Sequence, residues 1–595
     1  MRILGISAFY HDSAAALIEN GRVVAAAQEE RFTRLRHDAA FPRQAAAYCL
    51  DEAGCTLDDV DFVAFYEKPL IKFERLVETF FAGAPRGFGP FARAIPLWSR
   101  EKLFHRKLIE EALSEFGSHF DWDRNLLFGE HHLSHASSAF YPSPFGEALI
   151  LTLDGVGEWA TTSAALGQGS SIRPLREIHF PHSLGLLYSA FTEYLGFRVN
   201  SGEYKVMGLA PHGSSRFAST ILDHLIEVKT DGSFWLDQSC FDYCWGLRMT
   251  SPRFHGLFGG PPRKPDEPLT QRHMDLAASV QHVLDEVVLK LVASLAAETG
   301  CRNLCPAGGV ALNCVTNGKI LRSGLVDRLW IPPAPGDAGG AIGAALSAFY
   351  LYCPATGNNR TPRKLLSECE TMRGAYLGPS FNDDEVQTRL RNAGAVFRVL
   401  GESELLRCCV DILEEGGALG WFQGRMEFGP RALGMRSILA DPRSPSMQSR
   451  LNLKIKYRES FRPFAPSVLS EEAREWFDLT ADSPYMMLVA DVRPGKLIPA
   501  VTHVDGSARV QTVNSTTNPR YHRLLAAFNA RTGCPLLLNT SFNIRGEPIV
   551  CTPEDAFRCF MGTELDALAI GNCFLVKEDQ LLGRDTAFKD RFGKD

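Results

Sequence analysis

The sequence predicts a mixed α/β fold arranged in two units, and three observations support this prediction. Short apolar segments with the composition of strands alternate with longer helical segments along the chain. At 595 residues the chain is too long for a single hydrophobic core. Apolar residues make up 45% of the chain and charged residues 22%, which is typical of ordinary globular proteins.

The N-terminal residues predict three strands that pair through tight turns. Residues 2–8 and 13–18 have strand composition, and Asn20-Gly21 is a strong turn signal that leads into a third strand at 22–29. The segment 9–13 is then a loop at the mouth of a sheet. The predicted elements that follow are helices at 41–52, 98–116 and 274–299 and strands at 61–66 and 303–306. A turn-rich stretch at 354–362 predicts the start of a linker between the two units.

Two histidines and two aspartates suggest a metal site. The four-residue spacing of His131 and His135 places both imidazoles on one helix face. Asp154 follows an apolar strand at 148–153, and Asp337 stands in a second acidic loop where a helix begins. Carboxylate and imidazole ligands suit iron(II), manganese or zinc. Histidines at this spacing are more often ordinary core or surface residues, and Asp337 could simply be a helix N-cap. A zinc hydrolase is less favoured because the spacer lacks the glutamate of that motif.

Glycines accompany these acidic loops. Gly155 and Gly157 follow Asp154, while Gly308 and Gly309 follow the strand at 303–306, and such glycines let the backbone approach a ligand closely. Two glycine-bearing acidic loops after apolar strands also suggest a duplicated half-domain.

The overall composition narrows the class of protein. A net charge of −6 gives no general reason to expect a nucleic acid partner. The fifteen cysteines contain no Cys-x-x-Cys pair, so reduced thiols in a cytoplasmic protein are the simplest account. No segment approaches the length of a membrane span, and the N-terminus lacks the apolar core of a signal peptide. We therefore expect a cytoplasmic protein without a membrane partner.

One segment has the opposite charge from the rest of the chain. Between residues 425 and 462, nine Lys and Arg residues face three acidic ones, a local net charge of +6. A solvated face is the ordinary explanation, but Arg431 lies between turn formers, a rigid setting that suits phosphate. Aromatic residues do not alternate through the segment as they do on a nucleic-acid stacking surface. Asn539 and Ser541 end a later apolar strand with groups that can bind phosphate, so a small phosphorylated ligand is favoured.

Taken together, nine segments resemble the O-carbamoyltransferases of antibiotic and nodulation-factor biosynthesis, over nearly the whole chain. These segments are 10–14, 29–32, 131–135, 154–158, 204–210, 308–313, 336–339, 429–434 and 539–543. The resemblance implies an N-terminal domain, residues 1–368, with the actin-like ATPase (ASKHA) fold of the tRNA threonylcarbamoyltransferase. It also implies a C-terminal YrdC-like α/β domain, residues 369–595, that binds carbamoyl phosphate and ATP.

The resemblance further implies a set of ligands and site residues. The metal, expected to be Fe(2+) with Mn or Zn as alternatives, would be held by His131, His135, Asp154 and Asp337. The nucleotide of the co-substrate Mg-ATP would lie near Gly155, Gly157, Gly308 and Gly309 and contact Asn313, Glu203 and Lys205. Carbamoyl phosphate would contact Arg431, Lys456, Arg462, Arg509, Asn539 and Ser541.

The implied reaction makes carbamoyl adenylate and transfers its carbamoyl group to a hydroxyl of a small-molecule secondary metabolite. His11 has an ordinary pKa that suits a general base for an alcohol, and its family position favours that role over a loop histidine bonded to Asp12. Synthesis of tRNA threonylcarbamoyladenosine is the alternative enzyme activity, and a nucleotide-regulated binding scaffold is a third. Segments 68–106 and 230–264, rich in aromatic residues, Gly and Pro, are expected to line the acceptor pocket. The acceptor and its hydroxyl, the metal and the oligomeric state stay open.

Overall fold

The computed structural model describes residues 1–100, 104–352, 370–459, 461–581, 588 and 591–592. It divides into two compact units. The first contains Met1–Glu29 and His37–Thr371, and the second contains Glu30–Arg36 and Met372–Asp595. A short N-terminal segment thus belongs to the second unit although the chain on both sides of it belongs to the first. The predicted linker at 354–362 and the predicted boundary at 368 lie outside the described residues.

The first unit is organised around two five-stranded sheets. In spatial order, the strands of one sheet are Arg22–Gln28, Ala14–Glu19, Arg2–Ser7, Phe62–Phe65 and Leu126–Phe128. Those of the other are Ser171–His179, Ala160–Gln168, Glu147–Leu153, Asn303–Ala307 and Arg328–Leu329. In each sheet an antiparallel meander continues into two parallel strands.

The two sheets therefore share one strand order, as the predicted duplication requires. The equivalent loops differ from those named in the prediction. The loop at 154–159 follows the first strand of its sheet, and its counterpart is the loop at 8–13 rather than the second acidic loop. The second acidic loop instead leads into the helix Asp337–Ser347, so it is not equivalent to the loop after Asp154.

The predicted strands are observed with small shifts at their ends, and so are the helices Arg43–Glu52 and Gln271–Thr299. The prediction of one long helix at 98–116 is wrong. A helix at Phe88–Arg100 ends before another begins at His105–Leu113, and Phe104 has a non-helical backbone (φ −104°, ψ 19°). The other helices of the first unit are Pro69–Gly83, Trp122–Asn125, His131–Phe140, Leu184–Tyr194, Glu203–Leu209, Ala218–His224, Pro252–Leu257 and Cys314–Arg322. A small hairpin pairs Ile226–Val228 with Phe234–Leu236.

The helix Asp337–Ser347 lies at the centre of the first unit and is buried along its whole length. It packs closely against the helix His131–Phe140 and against the strand Arg2–Ser7. A Cβ atom at Gly343 would lie 1.7 Å from the carbonyl oxygen of Ser134, so only glycine permits this approach. The contact brings the start of one helix next to the histidines of the other.

The second unit contains a nine-stranded mixed sheet. Its strands in spatial order are Arg398–Val399, Cys573–Val576, Ala567–Ile570, Ala418–Phe422, Arg436–Ala440, Leu536–Ser541, Ala465–Leu469, Ser507–Val513 and Leu488–Asp491. Its helices are Glu30–Thr33, Asp383–Asn392, Glu402–Glu414, Met447–Lys454, Ala473–Trp476, Pro519–Thr532 and Pro553–Met561. Phe32 of the inserted segment packs on a buried cluster of Met426, Ile549 and Cys551.

Every cysteine in the described part of the chain is a free thiol, as predicted. None of the helices described combines the length and the apolar character needed to cross a bilayer.

Candidate metal centre and phosphate site

The four predicted metal ligands lie together in the first unit. The Nε2 atoms of His131 and His135 are 3.1 Å apart, and Asp154 Oδ2 lies 3.1 Å from His131 Nε2. Asp337 Oδ1 lies 3.5 Å from His135 Nε2 and 3.8 Å from His131 Nε2. Four donors that surround one ion at about 2.1 Å would be about 3.4 Å apart. One atom from each residue therefore fits a shared cation, and these atoms all lie within 4.8 Å of one another.

The histidines are positioned by the start of their helix. His131 is the first residue of the helix His131–Phe140, and its backbone N–H donates to both carboxylate oxygens of Glu158 at 3.1 Å. Glu158 also accepts from the backbone N–H of Lys68 at 2.8 Å. A carboxylate at a helix N-terminus accepts hydrogen bonds from unpaired backbone N–H groups and interacts favourably with the helix dipole. The acidic loop after Asp154 thus anchors the helix that carries the histidines.

Backbone groups orient the two aspartates. The N–H of Gly309 donates to Asp154 Oδ1 at 2.9 Å, which leaves Oδ2 facing His131. Asp337 is the first residue of its helix, and Gly336 is the N-cap, with no side-chain capping bond. The alternative that Asp337 is merely an N-cap is therefore wrong. Its carboxylate faces the histidines instead.

The electrostatics of the cluster favour a positive charge. Burial lowers the pKa of His131, but the carboxylates of Asp154 and Glu67 outweigh this effect and raise it to about 10. Burial acts in the opposite direction on Asp154 and Asp337, yet the neighbouring histidines hold both pKa values below the ordinary range. Two ionised carboxylates and two imidazoles match the mixed oxygen and nitrogen donor set of a divalent transition metal. The residues present fit the predicted ion.

His11 lies beside this cluster and is held by a carboxylate. Its Nδ1 is 2.9 Å from Asp12 Oδ2, and its Nε2 is 3.7 Å from Asp337 Oδ2. Asp12 Oδ1 lies 2.8 Å from Nδ1 of His37, whose Nε2 lies 3.1 Å from Ser201 Oγ. Burial lowers the pKa of His11, but Asp337 and Asp12 raise it to about 9. His11 therefore bonds to Asp12 and also faces the cluster, and its role as a base stays a prediction.

Sequence reasoning did not identify Asp12 and His37 as site residues. Asp12 has a left-handed backbone (φ 52°), and so does His37 (φ 54°). Such conformations are uncommon for residues other than glycine and cluster at functional sites. No sequence signal distinguishes these residues from ordinary loop residues.

Glu67 and Lys72, which the sequence analysis did not identify, lie on the Nδ1 side of the His131 ring. Glu67 Oε2 lies 3.7 Å from His131 Nδ1 and accepts from Lys72 Nζ at 2.6 Å. Burial alone would raise the pKa of Glu67, but Lys72 and His131 have a larger opposite effect. The pKa of Glu67 is therefore below its ordinary value, and the carboxylate is ionised. A carboxylate behind a ligating histidine fixes the ring orientation and tautomer. The adjacent His132 instead points to Ser163 Oγ at 2.9 Å, and burial lowers its pKa to about 3.

The predicted nucleotide residues have mixed roles. Gly308 has a left-handed backbone (φ 82°), and a Cβ there would lie 2.3 Å from the carbonyl oxygen of Leu153. Gly155 has open space around it, whereas a Cβ at Gly157 would lie 2.9 Å from the His132 ring. Gly157 and Gly308 therefore permit close packing around Asp154, whereas Gly155 borders open space.

The polar nucleotide candidates already have protein partners. Asn313 caps the helix Cys314–Arg322 through the N–H of Thr316 at 3.1 Å and donates to Gln281 Oε1 at 2.9 Å. Glu203 accepts from Ser189 Oγ at 2.8 Å. Lys205 is buried, with its Nζ 5.6 Å from the centre of the Phe197 ring.

In the second unit, the predicted phosphate residue Lys456 is buried and surrounded by hydrogen-bond acceptors. Its Nζ donates to the carbonyl oxygen and hydroxyl of Ser541, at 2.7 and 3.2 Å, and to the carbonyl and side-chain oxygens of Asn543, at 2.8 and 2.7 Å. Burial holds the pKa of Lys456 well below its ordinary value. Asn543 was not predicted, although it ends the same Asn-Thr-Ser-Phe-Asn segment.

The other phosphate candidates are distributed over several elements. Arg462 is buried and pairs with Glu459 at 2.7 Å, and Arg509 lies in the strand Ser507–Val513 opposite Val489. Asn539 is 1% exposed, and its amide donates to the carbonyl oxygen of Ala432 at 3.2 Å. Asn539 therefore braces the loop that carries Arg431.

Much of the positive charge between 425 and 462 has structural partners. Arg436 is fully buried and donates to backbone carbonyls, including that of Gln423 at 2.6 Å. Arg443 pairs with Asp441 at 2.6 Å and Arg450 with Asp566 at 2.7 Å. A smaller set of cations is thus available to a ligand than the sequence alone suggested.

The two segments expected to line an acceptor pocket contact each other in the first unit. Trp245 Nε1 donates to the carbonyl oxygen of Thr79 at 3.2 Å, and the guanidinium of Arg86 lies 4.9 Å from the Trp245 ring centre. Arg75 donates to the carbonyl oxygens of Gly157 and Glu158 at 2.5 and 2.7 Å. The segment 68–106 therefore contacts the loop that follows Asp154 of the candidate metal centre.

Comparisons with known proteins define the class of protein to which this fold and site belong. Residues 2–346 match the family described as the carbamoyltransferase N-terminus, and residues 410–577 match the carbamoyltransferase C-terminus. The chain therefore belongs to the carbamoyltransferase family and is a carbamoyltransferase, which confirms the resemblance found in the sequence.

The chain is also similar to individual proteins over most of its length. The chain is 56% identical to an uncharacterized protein of Synechocystis sp., over 97% of each chain. It is 40% identical to nodulation protein NolNO of Sinorhizobium fredii, over 96% of this chain and 79% of that protein, and 30% identical to nodulation protein U of Rhizobium tropici, over 94% of each. Component A of the (R)-2-hydroxyglutaryl-CoA dehydratase of Acidaminococcus fermentans is a distant structural match at 13% identity and a TM-score of 0.32, over 58% of this chain and 96% of that chain.

Proposed function

We propose that this carbamoyltransferase makes carbamoyl adenylate from carbamoyl phosphate and ATP and transfers the carbamoyl group to a hydroxyl of a small-molecule acceptor. The observation that carries the proposal is the position of His11. One ring nitrogen faces Asp12 and the other faces Asp337 of the metal cluster. A base for an alcohol thus stands beside a site suited to a metal ion and a phosphate.

The first stage takes place in the second unit, for which we propose a YrdC-like fold. Water cleaves carbamoyl phosphate to carbamate and phosphate, and a carbamate oxygen then attacks the α-phosphorus of ATP. Carbamoyl adenylate forms, and pyrophosphate leaves. Arg431, Lys456, Arg462 and Arg509 supply the positive charge that stabilises the phosphate groups as they separate. Ser541 orients Lys456 through two hydrogen bonds.

The second stage takes place in the first unit, for which we propose the actin-like ATPase fold. His131, His135, Asp154 and Asp337 would hold iron(II), and the bound ion would supply positive charge to the phosphate of the adenylate. The bound ion would offset the charge of Asp337 that raises the pKa of His11, so the His11 ring would be neutral. Neutral His11 then accepts the proton of the acceptor hydroxyl as its oxygen attacks the carbamoyl carbon, and AMP leaves.

Asp12 keeps the His11 ring in the orientation in which Nε2 faces the reacting hydroxyl. The paired glycines around Asp154 let the backbone approach the nucleotide. For the acceptor we propose a pocket lined by segments 68–106 and 230–264, because Arg75 joins the first of these to the loop of the metal centre. Phe81 and Phe88 are exposed there, at 69% and 65%, which suits an acceptor with apolar faces.

The proposal is tested with purified protein, ATP and labelled carbamoyl phosphate. Pyrophosphate release that requires carbamoyl phosphate is expected first, followed by a gain of one carbamoyl mass in a panel of hydroxylated metabolites. A parallel incubation with L-threonine, bicarbonate and tRNA tests the alternative activity. Label in the tRNA, or no pyrophosphate release in any arm, would overturn the proposal.

A further inference from the structure

The segment Glu30–Arg36 is an N-terminal piece of the second unit, and the proposed reaction gives it no role. Arg34 makes several contacts with the rest of that unit. One guanidinium nitrogen donates to the carbonyl oxygen of Ile549 at 2.7 Å, and the other donates to the carbonyl oxygen of Pro548 at 2.8 Å and to Glu547 Oε1 at 2.9 Å. These contacts form a fork that holds one loop of the second unit. A planar guanidinium provides such a fork, and an ammonium group does not.

The backbone of Arg34 is strained. Its φ of 61° lies in the left-handed region, which residues other than glycine seldom adopt. Strain of this kind persists where surrounding contacts determine the conformation, and it marks places where a side chain must be aimed. The contacts of the Arg34 side chain therefore offset an unfavourable backbone conformation.

A chain of hydrogen bonds leads from Arg34 to the proposed phosphate residues. Glu547 is 3% exposed and accepts from the N–H of Ile544 at 3.0 Å. Asn543 Nδ2 donates to the carbonyl oxygen of Glu547 at 2.6 Å, and its Oδ1 accepts from Lys456 Nζ at 2.7 Å. The loop 543–549 thus lies between the Arg34 guanidinium and the Lys456 ammonium, and Arg34 balances a buried carboxylate within it.

The same segment contacts a second loop of the site. Arg31 donates to the carbonyl oxygen of Gly429 at 2.9 Å, two residues before Arg431. The inserted segment therefore contacts both the loop that carries Arg431 and the loop 543–549 that follows Ser541. These contacts lie within the second unit.

We propose that Arg34 is a positioning residue for carbamoyl phosphate, which holds the loop 543–549 in the shape in which Asn543 and Ser541 aim Lys456. This inference rests on the proposed function of the second unit. It explains why a segment from the beginning of the chain is built into that unit.

The test compares Arg34→Gly, Arg34→Lys and the exposed control Arg407→Ala in the full-length protein. Glycine removes the guanidinium without adding backbone strain. We expect the KM for carbamoyl phosphate to rise about tenfold to hundredfold in Arg34→Gly, with the KM for ATP changed less than about twofold. Transfer from added carbamoyl adenylate to the acceptor should keep its wild-type rate. Millimolar guanidinium chloride, but not ammonium chloride, should restore part of the lost activity.

The outcomes separate this inference from the proposed function. If the wild-type protein releases no pyrophosphate with carbamoyl phosphate, the proposed function fails and this inference with it. If the wild type is active and Arg34→Gly keeps its KM, or loses both half-reactions equally, only the positioning role is wrong. Should Arg34→Gly fail to fold, Arg34→Lys decides by the same measurements. In that case, a KM for carbamoyl phosphate in Arg34→Lys equal to that of the wild type would overturn the inference.

Discussion

His11 and Asp337 face each other across 3.7 Å, from Nε2 to Oδ2, while the other oxygen of Asp337 lies 3.5 Å from Nε2 of His135. One carboxylate therefore borders both the proposed base and the proposed metal site. In the proposed reaction, this arrangement would place proton transfer next to the phosphate group of the leaving AMP. Mutations can then test the proposed base and the proposed metal site separately.

Replacing the base should affect one half-reaction only. His11→Asn keeps a polar side chain of similar reach but lacks a basic nitrogen. We expect carbamoyl transfer to fall about 10²–10⁴-fold while carbamoyl adenylate formation continues at the wild-type rate. Single-turnover assays of each half-reaction measure this, and bound metal is quantified as the control. Equal loss of both half-reactions would exclude His11 as the base.

Removing one ligand should release the metal. His135→Asn is expected to weaken binding of iron(II) or manganese more than about hundredfold, measured by elemental analysis after dialysis. His132→Asn is the matched control because His132 lies on the same helix but points to Ser163. Wild-type metal content in the His135 variant, or equal loss in both variants, would contradict the proposed ligand set.

The stability of the metal-free protein should depend on pH. The folded-state pKa values of His11 and His131, about 9 and about 10, exceed the ordinary value of 6.5. Their protons therefore stabilise the fold fully below pH 6.5, and this contribution is lost as pH rises through about 9–10. Thermal unfolding of chelator-treated protein should show Tm falling over this window. Added iron(II) or manganese should flatten the profile because the ion replaces the protons, and His131→Asn should flatten it without metal.

The contact between the two central helices should tolerate no side chain at Gly343. Gly343→Ala places a Cβ 1.7 Å from the carbonyl oxygen of Ser134, so the helices must separate. We expect a loss of about 1–3 kcal/mol in stability and weaker metal binding. Gly256→Ala is the matched control, since a Cβ there meets no atom within 4 Å. Unfolding curves and metal titrations of the two variants provide the comparison.

Phosphate binding should take up a proton. The pKa of Lys456 is lowered by burial, so a bound anion should raise it and favour the charged form. Above the lowered pKa, affinity for inorganic phosphate should therefore fall as pH rises. Calorimetric titrations in two buffers of different ionisation enthalpy measure the proton uptake. Lys456→Met should abolish it, whereas Arg407→Ala should not.

Much of the first unit could be predicted because its signals are local. The hairpin at Asn20-Gly21 and the spacing of His131 and His135 depend on neighbouring residues, and the structure contains both. Asp12 and Glu67 could not be recognised as site residues, because their contacts with His37 and His131 join residues that are distant in sequence. The helix predicted at 98–116 was wrong because amphipathic periodicity continues across a break that only the backbone at Phe104 reveals.

In the second unit, too, local features could be predicted from the sequence and long-range contacts could not. The sequence identified Asn539 as a polar residue at the end of an apolar strand. It could not show that the amide nitrogen of Asn539 donates to Ala432, Ser467 and Gln511 within the protein. It also could not show that Glu30–Arg36 leaves the first unit, since this depends on contacts with residues about 400–520 positions later along the chain. Burial and long-range pairing, rather than composition, decide both points.

The helix Asp337–Ser347 consists mostly of alanine and glycine, and all its side chains are enclosed. A mutagenesis library aimed at new acceptors would lose many of its clones at these positions, because larger residues disturb the packing of a buried helix that begins with the candidate metal ligand Asp337. Diversity is better introduced in the exposed parts of segments 68–106 and 230–264, where the chain can change without disturbing the reaction centre.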